Sequence, residues 1–268
     1  MTDTKQVICI RWGTKYGPDY VNRLYGMIER NISPPFTLTC FTDSFEGIRS
    51  EVQLREMPPL PCEMPTGVRG KWPKSTLWSK ELGGLSGPVL FVDLDVVITG
   101  SLDEFFSFGD PDDVILARNA AKPFQRRGQT SIYRFPVGKL SRLQEIFAAD
   151  PQGVGEKYRY EQFFVTDQAP GGVKFWPRAW VKHFRIECVP IFPLNFVREP
   201  KRPRGAKVII FAGALNPHDA VAGRWSSKHP TAPSVTQHLA WAWSEARSFK
   251  GLRGYVRPTR WVAEAWRE

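Results

Sequence analysis

Two carboxylates interrupt the most apolar run of this chain. Val89–Ile98 reads VLFVDLDVVI, with Asp93 and Asp95 two positions apart. An ionised carboxylate in an apolar strand costs several kcal/mol unless it is paired or bound to metal, and two together also repel. Strand residues two apart face the same side. If the strand ends there, both carboxylates converge on one cation. Hard oxygen ligands suit Mg²⁺ or Mn²⁺, which keep waters and substrate phosphates in their shells. The alternative is a pair of structural aspartates bonded to backbone N–H groups. The Asp-x-Asp spacing by itself is not diagnostic, because Asp110-Pro111-Asp112 repeats it in a loop. Only the first pair sits in a strand context.

Such a pair needs a scaffold, and ligands of open α/β sheets bind at the carboxyl ends of strands. Val7–Ile10 reads as a buried strand, followed by a loop carrying Gly13 and Gly17-Pro18. Val21, Leu24, Tyr25 and Ile28 give Tyr20–Asn31 the spacing of an amphipathic helix. Phe36–Phe41 and Val52–Glu56 read as further strands, and the alternation predicts a sheet with helices on its faces. An irregular Pro- and Gly-rich stretch precedes a helix expected over Lys74–Leu82. Val89–Ile98 is the expected central strand. Val114–Ala117, Ser131–Phe135 and Lys207–Phe211 are expected strands; Lys139–Ala148 and a segment beginning at Tyr160 are expected helices. No repeat or convincing linker is present.

The chain has 268 residues and a net charge of +10, a balance that favours acidic partners. From Lys201 onward twelve basic residues face four acids, so +8 of the excess lies in the last quarter. Cys9, Cys40, Cys62 and Cys188 are far apart, which argues against a zinc site or a disulfide scaffold. The polar start, Met1–Gln6, predicts no signal peptide, and no apolar run approaches a spanning length. A reducing cytoplasmic setting is the default expectation.

The segment Val89–Leu102, VLFVDLDVVITGSL, resembles the strand-plus-DxD segment of GT-A-fold glycosyltransferases. It is most similar to glycosyltransferase family eight, the glycogenin and lipopolysaccharide-galactosyltransferase group, and its bacterial relatives. Other segments match in order: Tyr16–Asn31 with Cys40–Asp43, Lys74, Gln129–Ser131, Tyr160–Gln162, and the turn from Phe211 to Pro217. The resemblance covers roughly residues 5 to 220. It implies a Rossmann-like mixed sheet flanked by helices over residues 1–220, with a basic, Trp-rich segment over 221–268. It also implies a nucleotide-diphosphate-sugar donor, UDP-sugar favoured, a Mn²⁺ or Mg²⁺ cofactor, and retention at the anomeric carbon. The acceptor expected is a glycan or lipid-glycan, as in bacterial polysaccharide or lipopolysaccharide synthesis. Two departures stand out. The family's late histidine ligand is missing around Ile210–Ala212, leaving His218 or Asp219 as substitutes, and Asn216 replaces the turn's lysine.

By this resemblance Asp93 and Asp95, with His218, are the metal ligands. Glu161 and Gln162 are the catalytic pair, orienting the donor sugar or facing the attacking side. Trp12, Gly13, Thr14, Tyr16, Thr42, Asp43, Lys74, Leu94, Gln129, Ser131, Gly213 and Asn216 form the donor site. Each has a plainer reading: Lys74 as a solvated lysine, Trp12 as a core aromatic, Glu161 as a helix-terminus acid, and Gln129 and Ser131 as turn-bonding residues. In the tail, Trp241, Trp243, Trp261 and Trp266 alternate with basic residues. That suits an anionic membrane surface, which would place the protein peripherally on the inner face, or it suits packing on the domain. Rival functions are a catalytically degenerate nucleotide-sugar-binding protein and a basic nucleic-acid-binding protein. No recognisable module supports the second, and no nucleic-acid partner is expected.

Overall fold

The apolar runs pair into two separate sheets. The structure is a computed structural model that describes residues 4–268. Its strands are β1 (Lys5–Arg11), β2 (Phe36–Thr42), β3 (Gln53–Glu56), β4 (Pro88–Val92), β5 (Val96–Ile98), β6 (Val114–Arg118), β7 (Gly128–Pro136), β8 (Val173–Phe175), β9 (Val181–His183) and β10 (Val208–Ile210). The chain divides into two units: residues 1–94 with 101–178, and residues 95–100 with 179–268. The boundary expected at residue 220 falls inside the second of these.

The first unit holds a seven-stranded mixed sheet in the order β3-β2-β1-β4-β7-β6-β8. β1 is parallel to β2 and β4, and β2 to β3, whereas β7 is antiparallel to both β4 and β6. The central strands are apolar without alternation because both faces are covered; Val7, Ile8, Val89, Leu90 and Phe91 are fully buried. Helix α1 (Pro18–Glu29) starts with Pro at N1 and Asp19 in its first turn, both favoured at a helix start. It buries Val21, Leu24, Met27 and Ile28. Helices α2 (Asp103–Ser107), α3 (Ser141–Ala149), α4 (Pro151–Tyr158) and α5 (Glu161–Gln168) complete this unit.

Arg134 on β7 is fully buried. Its guanidinium donates to the carbonyls of Phe105 (2.9 Å), Phe106 (2.8 Å) and Asp110 (2.6 Å), satisfying the exposed end of α2.

Two local expectations change. The helix expected over Lys74–Leu82 is a 3-10 segment, Trp72–Trp78, with Pro73 at its start and an extended Ser79 at its end. The single strand expected over Val89–Ile98 is two strands. β4 stops at Val92, Leu94 and Asp95 form a turn, and β5 belongs to the other unit's sheet.

That second sheet has the order β5-β10-β9. Around it lie α6 (Pro217–Ala222), α7 (Val235–Trp241), α8 (Phe249–Arg253) and α9 (Arg260–Ala265). Three of the tail tryptophans are at least partly packed within this unit. Trp266 is buried, Trp261 donates to the Pro200 carbonyl at 3.0 Å, and Trp241 lies 4.4 Å from the His229 ring. Trp243 is the exception, at 87% exposure. No described helix is long and apolar enough to cross a membrane.

Candidate functional site

In the seven-stranded sheet the chain runs outward from β1 to β2 and β3, then returns to place β4 on β1's other side. This reversal makes the carboxyl ends of β1 and β4 a topological switch point, the usual ligand crevice of open α/β sheets. The loop Trp12–Gly17 leaves β1 here, and Asp93 immediately follows β4. Because β7 is antiparallel to β4, its first residues lie at the same edge. The first unit therefore brings Trp12, Gly13, Thr14, Tyr16, Thr42, Asp43, Asp93, Gln129 and Ser131 to one sheet edge.

A polar network joins this edge to Lys74 and Glu161. Lys74 is buried, and its ammonium lies 2.7 Å from Asp93 Oδ1. It also lies 3.5 Å from the Thr130 carbonyl and 4.8 Å from the Phe91 ring centre. The Asp93 N–H donates to the Ser131 carbonyl at 2.8 Å. Ser131 is held by Gln129, which accepts from its N–H and donates to its Oγ, each at 2.6 Å. Thr130 Oγ1 donates to Glu161 Oε1 at 3.4 Å, and the Lys71 N–H donates to Glu161 Oε2 at 2.8 Å.

This geometry changes the reading of several residues. Lys74 is neither solvated nor on a regular helix; it is the counter-ion of Asp93. The cost of burying Asp93 is thus met at least in part by an ammonium, so burial alone does not require a metal. Gln129 and Ser131 bond to one another within β7 rather than in a turn. Glu161 is a buried acceptor that ties the Trp72–Trp78 segment to α5. The Gln162 side-chain amide makes no hydrogen bond among the described residues, and the residue is half-buried.

On the β1 loop, Gly13 has φ +62°, a left-handed conformation that glycine adopts without strain, and its N–H donates to Asp43 Oδ2 at 2.8 Å. Trp12 packs partly on the core cluster, Thr14 is exposed, and the Tyr16 ring lies 4.6 Å from Tyr20. Thr42 Oγ1 donates to the Ser44 carbonyl at 3.0 Å, fixing the turn after β2. Leu94 is 3% exposed.

Gly213, Asn216 and His218 belong to the second unit. Asn216 and Asp219 form a capping box at the start of α6. Asp219 is fully buried and accepts from Arg224 Nε at 2.6 Å. Its Oδ1 also lies 3.3 Å from His218 Nε2. Burial works against ionisation of Asp219, yet hydrogen bonds from His218, Arg224 and the Asn216 N–H bring its pKa down to about 2. His218 is thus engaged with a structural carboxylate. Among the described residues no three His, Cys, Asp or Glu side chains are gathered as a metal cage.

Cys9 and Cys40, expected as small core residues, are fully buried register partners on β1 and β2. His183 at the end of β9 is buried, and burial brings its pKa down to about 4.

No family model matches the chain, and no curated protein matches it by sequence. Solved structures do. The galactosyltransferase LgtC in complex with donor and acceptor sugar analogues aligns over 97% of this chain and 99% of its own, with a TM-score of 0.59 and 12% identity. An active-site mutant of LgtC aligns over 84% and 91%, with a TM-score of 0.56 and 10% identity. The bifunctional glycosyltransferase WbbM aligns over 81% of this chain but 47% of its own, with a TM-score of 0.56 and 13% identity. The chain thus spans about half of WbbM. At these identities the likeness establishes the fold, which is the GT-A fold of these glycosyltransferases.

Proposed function

We propose that this protein transfers a sugar from a nucleotide-diphosphate donor, UDP-sugar favoured, to a glycan or lipid-glycan acceptor with retention. The observation that carries this reading is the buried Lys74–Asp93 pair at the topological switch point. The fold shared with LgtC, whose structure holds donor and acceptor sugar analogues, supports it.

The chemistry asks for stabilisation of negative charge on a departing diphosphate while positive charge grows on the sugar. Lys74 supplies a cation in a site where water screens it little. The Asp43-braced amide at Gly13 shapes the β1 loop against which a base and ribose would rest. Glu161 fixes the segment carrying Lys74, which makes it a positioning residue. The Gln162 amide is the group available to orient the donor sugar.

Asp93 and Asp95 are hard oxygen donors that fit a cation arriving with the donor, since Mg²⁺-type ions complete their shells with phosphate and water. Bound there, such an ion would act as a Lewis acid on the leaving diphosphate. His218 is assigned no ligand role in this scheme because it is bonded to Asp219.

A second reading is a nucleotide-sugar-binding protein without turnover. It is favoured by the ammonium on Asp93 Oδ1 and by the absence of a three-ligand cage among the described residues. Thermal shift against UDP-, GDP- and CMP-sugars with and without Mn²⁺, followed by assay of released nucleotide, separates the two. UDP-sugar with Mn²⁺ is expected to raise Tm by about 5 °C or more at a hundred times Kd. Released UDP supports transfer, and binding without any release supports the second reading. No response to any nucleotide sugar overturns both.

We also propose peripheral attachment to an anionic membrane on the cytoplasmic face. Trp243 (87% exposed) and Phe249 (64% exposed) lie in a segment carrying Arg247, Lys250 and Arg253. Exposed aromatics with basic neighbours suit such an interface. Co-sedimentation with phosphatidylglycerol vesicles is expected, weakened at least about fivefold by the combined Trp243→Ala and Phe249→Ala changes. Equal sedimentation of this variant rules the segment out as the anchor.

A further inference from the structure

A second cleft opens at the sheet edge that carries Asp93. β6 runs parallel to β4 and ends at Arg118, paired with Gly128 at the start of β7; β8 runs parallel to β6 and ends at Phe175. The carboxyl ends of β6 and β8 therefore lie on the same side as that of β4. At about 4.8 Å per strand, β6 is roughly 10 Å from β4 along this edge.

The cleft is about 490 Å³. Half-buried Phe108 and Phe175, with the buried Trp176 behind them, form its apolar side, and its charged lining is Arg118, Arg126, Lys174 and Arg178, with no carboxylate. Lys174 is neutralised by Asp113 at 2.7 Å. Arg118, Arg126 and Arg178 make no ion pair among the described residues. Arg118 and Arg126 both pack on the Phe175 ring, at 4.6 and 5.1 Å from its centre. Their charges therefore lie within about 10 Å of one another, on the order of the screening length at physiological salt. Arg126 is further fixed by a 2.7 Å bond to the Val173 carbonyl.

We propose that this cleft binds the acidic group of a charged glycan acceptor, a phosphate or a carboxylate carried on a sugar ring. The inference rests on the sugar-transfer reading for the word acceptor. A guanidinium fork matches the oxygens of either anion, and two arginines without an ion pair beside one ring concentrate positive charge there. Phe108, the half-buried aromatic of the lining that neither guanidinium covers, offers an apolar contact to a sugar ring, which a simple inorganic ion does not use. The position two to three strands from Asp93 places the cleft along the sheet from the donor edge without overlapping it.

Calorimetry with tetragalacturonate, mannose 6-phosphate, their neutral counterparts galactotetraose and mannose, and inorganic phosphate tests this. At least one charged sugar is expected to bind tenfold more tightly than its neutral counterpart and than phosphate. Its identity distinguishes carboxylate from phosphate. The Arg118→Gln, Arg126→Gln double variant alters two exposed side chains, so the fold should survive, which its Tm checks. It is expected to lose that affinity at least tenfold while UDP-sugar binding changes less than twofold. Equal binding of charged and neutral sugars, phosphate binding as tightly as either charged sugar, or full retention by the double variant overturns the inference. Failure of the transfer reading has a different signature: no UDP-sugar binding or turnover, with charged-sugar binding intact.

Discussion

On the transfer reading, Asp95→Asn is expected to lower sugar transfer by about 100-fold or more, because it would remove a charged oxygen from the carboxylate pair proposed to hold a cation on the leaving diphosphate. Asp93→Asn is expected to cost at least as much activity, but with a second consequence. It removes a charged carboxylate oxygen 2.7 Å from the Lys74 ammonium, whose side chain is only 5% exposed. Part of its loss will therefore register as instability, which the melting curve of each variant separates from the chemical contribution. Released UDP, measured at saturating donor and Mn²⁺ alongside a melting curve for each variant, is the check. If both variants turn over within about threefold of the parent, the carboxylates have no part in transfer.

Lys74→Met carries the other large effect. It leaves Asp93 beside an apolar side chain, with its carboxylate 19% exposed. Breaking a buried pair by removing one partner costs roughly 3 kcal/mol, which for a chain this long means a Tm lower by about 6–12 °C. The double variant Lys74→Met, Asp93→Asn is expected to be more stable than Lys74→Met alone, because no uncompensated charge remains. Additive losses in the double-variant cycle would show that the two side chains are not energetically coupled. Nucleotide-sugar affinity should fall in both variants, since the cation proposed to face the diphosphate is gone.

Much of the architecture was legible because β1, β2 and β4 are continuous apolar runs, a pattern that central parallel strands impose. The break at Asp93 was not. An apolar stretch on either side of a carboxylate reads alike whether it is one strand or two, and only the pairing of Val96–Ile98 with β10 decides. Lys74 stood out only through the family resemblance, and its burial and its partner depend on the path of the intervening chain. Arg134 went unnoticed because one arginine in a strand pattern reads as solvent-facing; its partners are carbonyls from Phe105 to Asp110. In the tail, composition made four tryptophans look equivalent. Folding leaves Trp243 largely exposed and packs the others to differing degrees.

The Lys74–Asp93 contact also decides what a chelator can do. A carboxylate already neutralised from within does not depend on a dissociable ion to remain folded, so stripping divalent ions should leave the melting temperature of the ligand-free protein where it was. Any metal-dependent rise in heat resistance then reports on loaded donor rather than on the scaffold, and would grow with nucleotide concentration at fixed manganese.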